Sequence, residues 1–236
     1  MKIVDLFRRL AFGELSNLAI NKGNGVLADE KHPQMIQYAN EALLRIFTRF
    51  VLKERSLILE QTTHVMDYHL IRDYAVTAES GSVRHRYIID TEEEPFKEDV
   101  IRILAVYEDV TGCQFPLNDI DNPQSLFTPK PSVLQIGNPK DGVRVAIVYQ
   151  ARHPVLDDRV GQILDQEIDV PFYLESALQN YVGYKTYCHM NGQENIIKGQ
   201  EYLSAYEAIC LDIEQRDLAN QSVHTSHSKL EQRGFV

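Results

Sequence analysis

The apolar residues of this sequence keep a helical period at both ends of the chain and lose it in the middle. In HPQMIQYANEALLRIFTRF, the residues Ile36, Ala39, Leu43, Ile46 or Phe47, and Phe50 share one face, while Glu41, Arg45 and Arg49 lie elsewhere. That spacing predicts an amphipathic helix over 33–50. Pro33 suits its first turn, where a missing N–H costs nothing. Leu174, Ala177, Leu178, Tyr181 and Cys188 predict a helix over 171–190, opened by Pro171 and stopped by Asn191–Gly192. Leu203, Tyr206, Cys210 and Ile213 form a seam for a partner helix over 193–216. These two helices make an antiparallel hairpin. Nearer the start, Ile3, Leu6, Phe7 and Leu10, then Leu15 and Leu18 beyond Gly13, predict two short helices or one bent helix over 3–20.

The middle reads differently. Residues 56–71, 100–112 and 142–151 alternate or concentrate β-formers and are expected to be strands. Between them, 113–141 is rich in Pro, Asn and Asp and reads as a long connection of the kind that usually carries function. The chain is therefore expected to be α+β: a helical bundle from both chain ends, a small inserted β-rich domain, and an extended C-terminal tail. The boundaries are 1–55 for the N-terminal helices, 56–154 for the β-rich module, 155–216 for the helical hairpin and 217–236 for the tail. The tail, with LANQSVHTSHSKLEQRGFV, has no apolar period and orders only against a partner.

Composition narrows the function classes. A chain of 236 residues, 44% hydrophobic, buries a core without staples. Cys113, Cys188 and Cys210 are far apart and form no CxxC pair, so reduced thiols are expected. A net charge of -10 repels nucleic acid at long range and argues against tight, sequence-independent duplex binding. MKIVDLFRRLAF reads as an amphipathic helix and not as a signal peptide. No apolar run reaches the roughly 18 residues of a membrane span.

Each chemical constellation has a plainer explanation. In YVGYKTYCHMNG, Cys188 and His189 are adjacent on a helix and point about 100° apart, so they do not meet as nucleophile and base. Cys188 is expected in the helix seam and His189 in solvent. In HVMDYH, a strand puts Asp67 and His69 on one face and His64 on the other, which is poor ligand geometry. His153 precedes a proline, and His224 and His227 sit in the tail. The acidic stretch DTEEEPF at 90–96 lacks the spacing of a calcium loop. No phosphate-binding glycine loop or nucleophile elbow is present. Catalytic residues, metals and cofactors are expected to be absent. Gly199, alone inside a helix, marks a close helix approach or a local kink.

Three passages together carry a resemblance. They are LAFGELSNLAI with HPQMIQYANEALLRIFTRFVLKERSLILEQ, then CQFPLNDIDNPQSLFTPKPSVLQIGNPKDGVRVAIVYQARHP, then VPFYLESALQNYVGYKTYCHMNGQENIIKGQEYLSAYEAICLDIEQ. Their order, over about 10–216, resembles the head-to-tail adaptor proteins of short-tailed bacteriophages, the tail tubular protein A-like group. The resemblance implies a non-enzymatic virion protein, made in the host cytoplasm and placed at the neck. It implies a dodecameric ring between the portal protein and the tail nozzle protein, through which double-stranded DNA passes without sequence-specific binding and with no membrane involved. The tail, with Leu218, Val223, Leu230, Phe235 and Val236, is the expected portal-docking segment. The long loop, with Phe115, Leu117, Leu126, Phe127 and Leu134, is the expected contact to the nozzle or a neighbouring copy. Tyr38, Tyr181, Tyr184, Tyr187, Tyr202 and Tyr206 are divided between core and subunit contacts. The other readings are a different neck, tail-terminator or tail-completion ring protein, or a small intracellular enzyme using Cys or His.

Overall fold

The computed structural model describes residues 1–20, 22, 25–78, 85–159, 163–216 and 218. The chain is mixed α+β and divides into two compact units, Met1–Val51 with Val155–Val236, and Leu52–Pro154.

In the first unit, α1 (Ile3–Phe12) buries Ile3, Leu6, Phe7, Leu10 and Ala11 and ends at Gly13, whose N–H donates to Arg9 O at 2.8 Å. No second helix follows before residue 20, contrary to the helical period of Leu15 and Leu18. The reason is tertiary: the Glu14 carbonyl, which a continuing helix would use internally, accepts the hydroxyls of Tyr187 and Tyr202, each at 3.2 Å. Leu15 is still fully buried, so the apolar pattern reports burial there and not helix.

Helix α2 (His32–Arg49) has Pro33 in its first turn and buries the expected stripe from Ile36 to Phe47. A 3₁₀ turn at Phe172–Leu174 leads into α3 (Glu175–Cys188). Gly192, at φ 113°, reverses the chain into α4 (Gln193–Gln215), a conformation that suits glycine. Helix α3 packs along α4 and also touches α2 and α1. Gly199 of α4 is a point of close approach: a Cβ there would lie 2.7 Å from Cys188 Sγ.

The second unit holds two antiparallel sheets. One has four strands in the order β3-β1-β7-β4, from β1 (Glu54–Glu60), β3 (Ile88–Ile89), β4 (Val100–Glu108) and β7 (Arg144–Ala151). The other has the order β2-β6-β5, from β2 (Asp67–His69), β5 (Phe127–Lys130) and β6 (Val133–Gln135). Two expectations change here. Residues 56–71 are not one strand but β1 and β2 in different sheets, broken where the Tyr68 hydroxyl bonds both the N–H and the C=O of Thr62 at 2.9 and 3.1 Å. Residues 113–141 are not simply a connection, because β5 and β6 form a hairpin inside them. Strand β4 also stops at Glu108, where Gly112, at φ 68°, closes a turn by donating to Glu108 O at 2.8 Å.

Residues of both sheets share one core, including Leu59, Tyr68, Tyr87, Val106, Leu134 and Ile147. The outer edge of β4 is not an open template. Its register shifts twice against β7, and Phe115 N donates to Val106 O at 2.8 Å over its second half.

Candidate interaction surface

The segment between β4 and β5 is built by side chains that replace missing ladder bonds. Asn118 adopts φ 56°, and its amide oxygen accepts the N–H of Thr128 at 2.9 Å, covering the edge of β5. Asp119 N donates to Ser125 Oγ at 2.9 Å, Asp121 N to Asp119 Oδ1 at 3.1 Å, and Gln124 N to Asn122 Oδ1 at 3.0 Å. Such Asx-type bonds hold a turn without regular structure. Beside this segment lies a groove of about 850 Å³, lined among others by Gln61, Phe115, Ile120, Leu126, Ile136 and Lys140.

The five loop residues singled out from sequence point mostly inward. Leu126 and Leu134 are buried in the core of the β unit. Phe115 and Leu117 are half-buried and pack against that core. Phe127 is half-buried on the groove wall. The residue presented to solvent is Ile120, 89% exposed between Asp119 and Asp121, with Val110 similarly exposed in the turn after β4. Ile120 is not among the five loop residues named from sequence. Its flanking aspartates in a Pro-bounded Asn/Asp cluster were the signal that it sits at a turn tip.

On the helical unit, Tyr38, Tyr181, Tyr187 and Tyr206 are buried, and Tyr184 and Tyr202 are half-buried. The Arg45 guanidinium lies 5.6 Å from the Tyr181 ring centre and 5.8 Å from that of Tyr206. Arg49 spans α2 to α4, donating to Glu214 at 2.7 and 3.0 Å and to Glu207 at 2.6 Å. The bond from Arg49 holds the Glu214 carboxyl below the usual carboxylate range, and burial pushes the Cys210 thiol up. Burial also raises Glu14. These are marks of an ion-paired helix contact and a sequestered thiol.

Cys188 is half-buried with its thiol toward Gly199, while His189 is exposed, stacked on Tyr38 at 5.2 Å, with Nδ1 2.7 Å from Lys185 O. The two side chains serve different contacts. Asp67 and His69 share the exposed face of β2, and His64 lies in the preceding turn. Buried His153 has Nδ1 2.6 Å from Pro154 O. In the acidic stretch, Asp90 is structural, accepting from Thr77 N and Phe96 N, each at 2.9 Å. Among the described residues no group of three or more His, Cys, Asp or Glu is placed to hold a metal ion, and no helix is long and apolar enough to cross a membrane. Leu218, 47% exposed, follows α4 and accepts the Tyr173 hydroxyl at 3.5 Å. Val223, Leu230, Phe235 and Val236, like His224 and His227, lie outside the described residues.

No protein-family model matches the chain, and no characterised protein matches it.

Proposed function

We propose that this chain is a structural subunit of the neck of a short-tailed bacteriophage, a head-to-tail adaptor that assembles as a ring between portal and tail nozzle. The observation that carries the reading is the nested order of elements: α1 and α2, then the β unit, then α3 and α4. That order parallels the three passages on which the resemblance to the adaptor family rests. On this reading the four helices form a bundle, the β unit projects the 113–141 loop toward the nozzle or a neighbouring copy, and the tail, 217–236, docks on the portal. A ring requires two different patches on each subunit, because a head-to-tail contact is heterologous. The net charge of -10 suits a channel wall that repels phosphates and lets DNA slide. The subunit performs no catalysis and needs no cofactor.

The test is binding to portal-containing heads. The full chain should pull down with heads and appear by negative-stain microscopy as a ring beneath the portal vertex. A chain truncated after Gln215, with unchanged circular dichroism, should no longer attach. Failure of the full chain to bind overturns the adaptor reading. Undiminished attachment of the truncated chain overturns docking by the tail, and a lumen lined mainly by Lys and Arg would sink the repulsive-channel idea.

A further inference from the structure

The turn between α3 and α4 holds an Asn–Gly pair whose reacting groups are free. Helix α3 ends at Cys188 and α4 begins at Gln193, so Asn191 and Gly192 lie in neither helix. Both residues are exposed. The Gly192 N–H meets no acceptor among the described residues, and the Asn191 side-chain amide has no hydrogen-bond partner there. Gly192 also has no Cβ to hinder approach of its nitrogen to the Asn191 side chain.

Every comparable position among the described residues is closed. At Asp141–Gly142 the carboxylate accepts from Thr63 N at 2.6 Å and Thr63 Oγ1 at 3.1 Å, and Gly142 N donates to Gln61 O at 3.1 Å. The Asn40 amide donates to Leu156 O and accepts from Leu156 N, each at 2.9 Å, and the Asn118 amide is tied to Thr128. Asn122 and Asn138 precede prolines, which have no N–H to lose. The nitrogens after Asn17 and Asn195 donate to Leu15 O at 3.1 Å and Gly192 O at 3.3 Å. Asn180 lies inside α3, where the following N–H bonds along the helix.

We propose that Asn191 is a spontaneous modification site, where the folded chain deamidates through a cyclic imide and the isoaspartate product loosens the α3–α4 hairpin. Gly192 N gives its proton to solvent and bonds to Asn191 Cγ. The Cγ–Nδ2 bond breaks, and ammonia leaves. Water then opens the ring at one of its two carbonyls. Opening at Cγ gives aspartate, whose charge near the N-terminus of α4 is favourable. Opening at the main-chain carbonyl gives isoaspartate, which lengthens the chain path by about 1.5 Å. That product also turns the carbonyl that accepts Asn195 Nδ2 into a free carboxylate. The added length falls between Cys188 and Gly199, whose close approach depends on the register of α3 against α4.

The test incubates the full chain in mildly alkaline buffer and maps tryptic peptides by mass spectrometry, with electron-transfer fragmentation to distinguish isoaspartate from aspartate. Asn191, in peptide 186–198, should convert before any other described asparagine. Asn24–Gly25, whose asparagine lies outside the described residues, falls in a different peptide and is scored separately. Asn191→Gln should abolish conversion at the turn, because the longer side chain disfavours the five-membered ring. The isoaspartate fraction, separated by ion exchange, should melt below the unmodified chain, and Asn191→Asp should melt no lower than it. Absence of conversion at Asn191 in the folded chain overturns the site, as does earlier conversion of another described asparagine. An isoaspartate fraction that melts with the unmodified chain overturns the loosening.

Discussion

The Arg49 guanidinium of α2 grips the Glu214 carboxylate of α4 with two hydrogen bonds, from Nε at 2.7 Å and from a terminal nitrogen at 3.0 Å. The fork-to-carboxylate geometry makes this pair stronger than a single-point contact, although Glu214 is 36% exposed and solvent screens it. Because the carboxyl is held below its usual range, its contribution is present above the ordinary value of about 4.3 and is lost as pH falls through the lower folded value. Glu214→Gln should therefore cost about 0.5–1 kcal/mol near neutrality. In acid, where the native carboxyl is itself protonated, the two proteins should converge. Urea unfolding followed from neutral pH down through the acid range checks both halves.

Gly199 and Cys188 form a pair in which each limits the other. Alanine at position 199 gains about 1 kcal/mol of helix propensity. Its Cβ would stand 2.7 Å from the thiol, so Sγ must move. Gly199→Ala should destabilise the native chain, whereas in a Cys188→Ala background the same change should be neutral or stabilising. A double-mutant cycle by thermal denaturation reads a coupling of about 1–2 kcal/mol.

The three thiols should separate by reactivity. Cys113 is exposed, Cys188 is half-buried, and Cys210 is fully buried with its thiol pushed up by burial. Iodoacetamide should modify Cys113 first and Cys210 only on unfolding, because the thiolate is the reacting species. Peptide mapping by mass spectrometry gives the order. Early labelling of Cys210 would show that the α2–α4 contact opens readily.

The loop calls for a point change and not a deletion. Removing 118–135 would take away β5 and β6 along with the buried residues Leu126 and Leu134, and should unfold the β unit. Ile120→Asp alters a side chain that is 89% exposed and should shift the melting temperature by less than about 0.5 kcal/mol equivalent. If the loop tip is a subunit or nozzle contact, this variant should lose assembly while keeping its circular dichroism spectrum. Normal tail attachment by Ile120→Asp would count against the tip.

Sequence pattern served well where one element buries one face along its length. The stripe from Ile36 to Phe47, the Tyr206–Cys210–Ile213 spacing and the alternation in β7 are all found in the structure. It failed where structure depends on a distant partner. After α1 ends at Gly13, no second helix continues through Glu14, whose carbonyl accepts the hydroxyls of Tyr187 and Tyr202, and no local window contains those tyrosines. Strands β2 and β6 have three residues each, too few for a period to register, and are held by tyrosine hydroxyls and by each other. The groove was illegible for a similar reason. Gln61 is an ordinary residue at a strand end until Val143, Gly142 and Lys140 fix it from across the sheet.

The helical unit is assembled from two stretches of chain with the whole β unit synthesised between them. Helices α1 and α2 leave the ribosome long before α3, the helix they pack on, exists. The β unit, complete within 52–154, has all its own strands available while the first helices still wait with Leu43, Ile46 and Phe47 uncovered. Its folding brings the two helical stretches within reach and shortens the loop that must be closed. Because α3 is made after the β unit, the interval before it emerges is when Leu43, Ile46 and Phe47 stand uncovered and most open to misassociation.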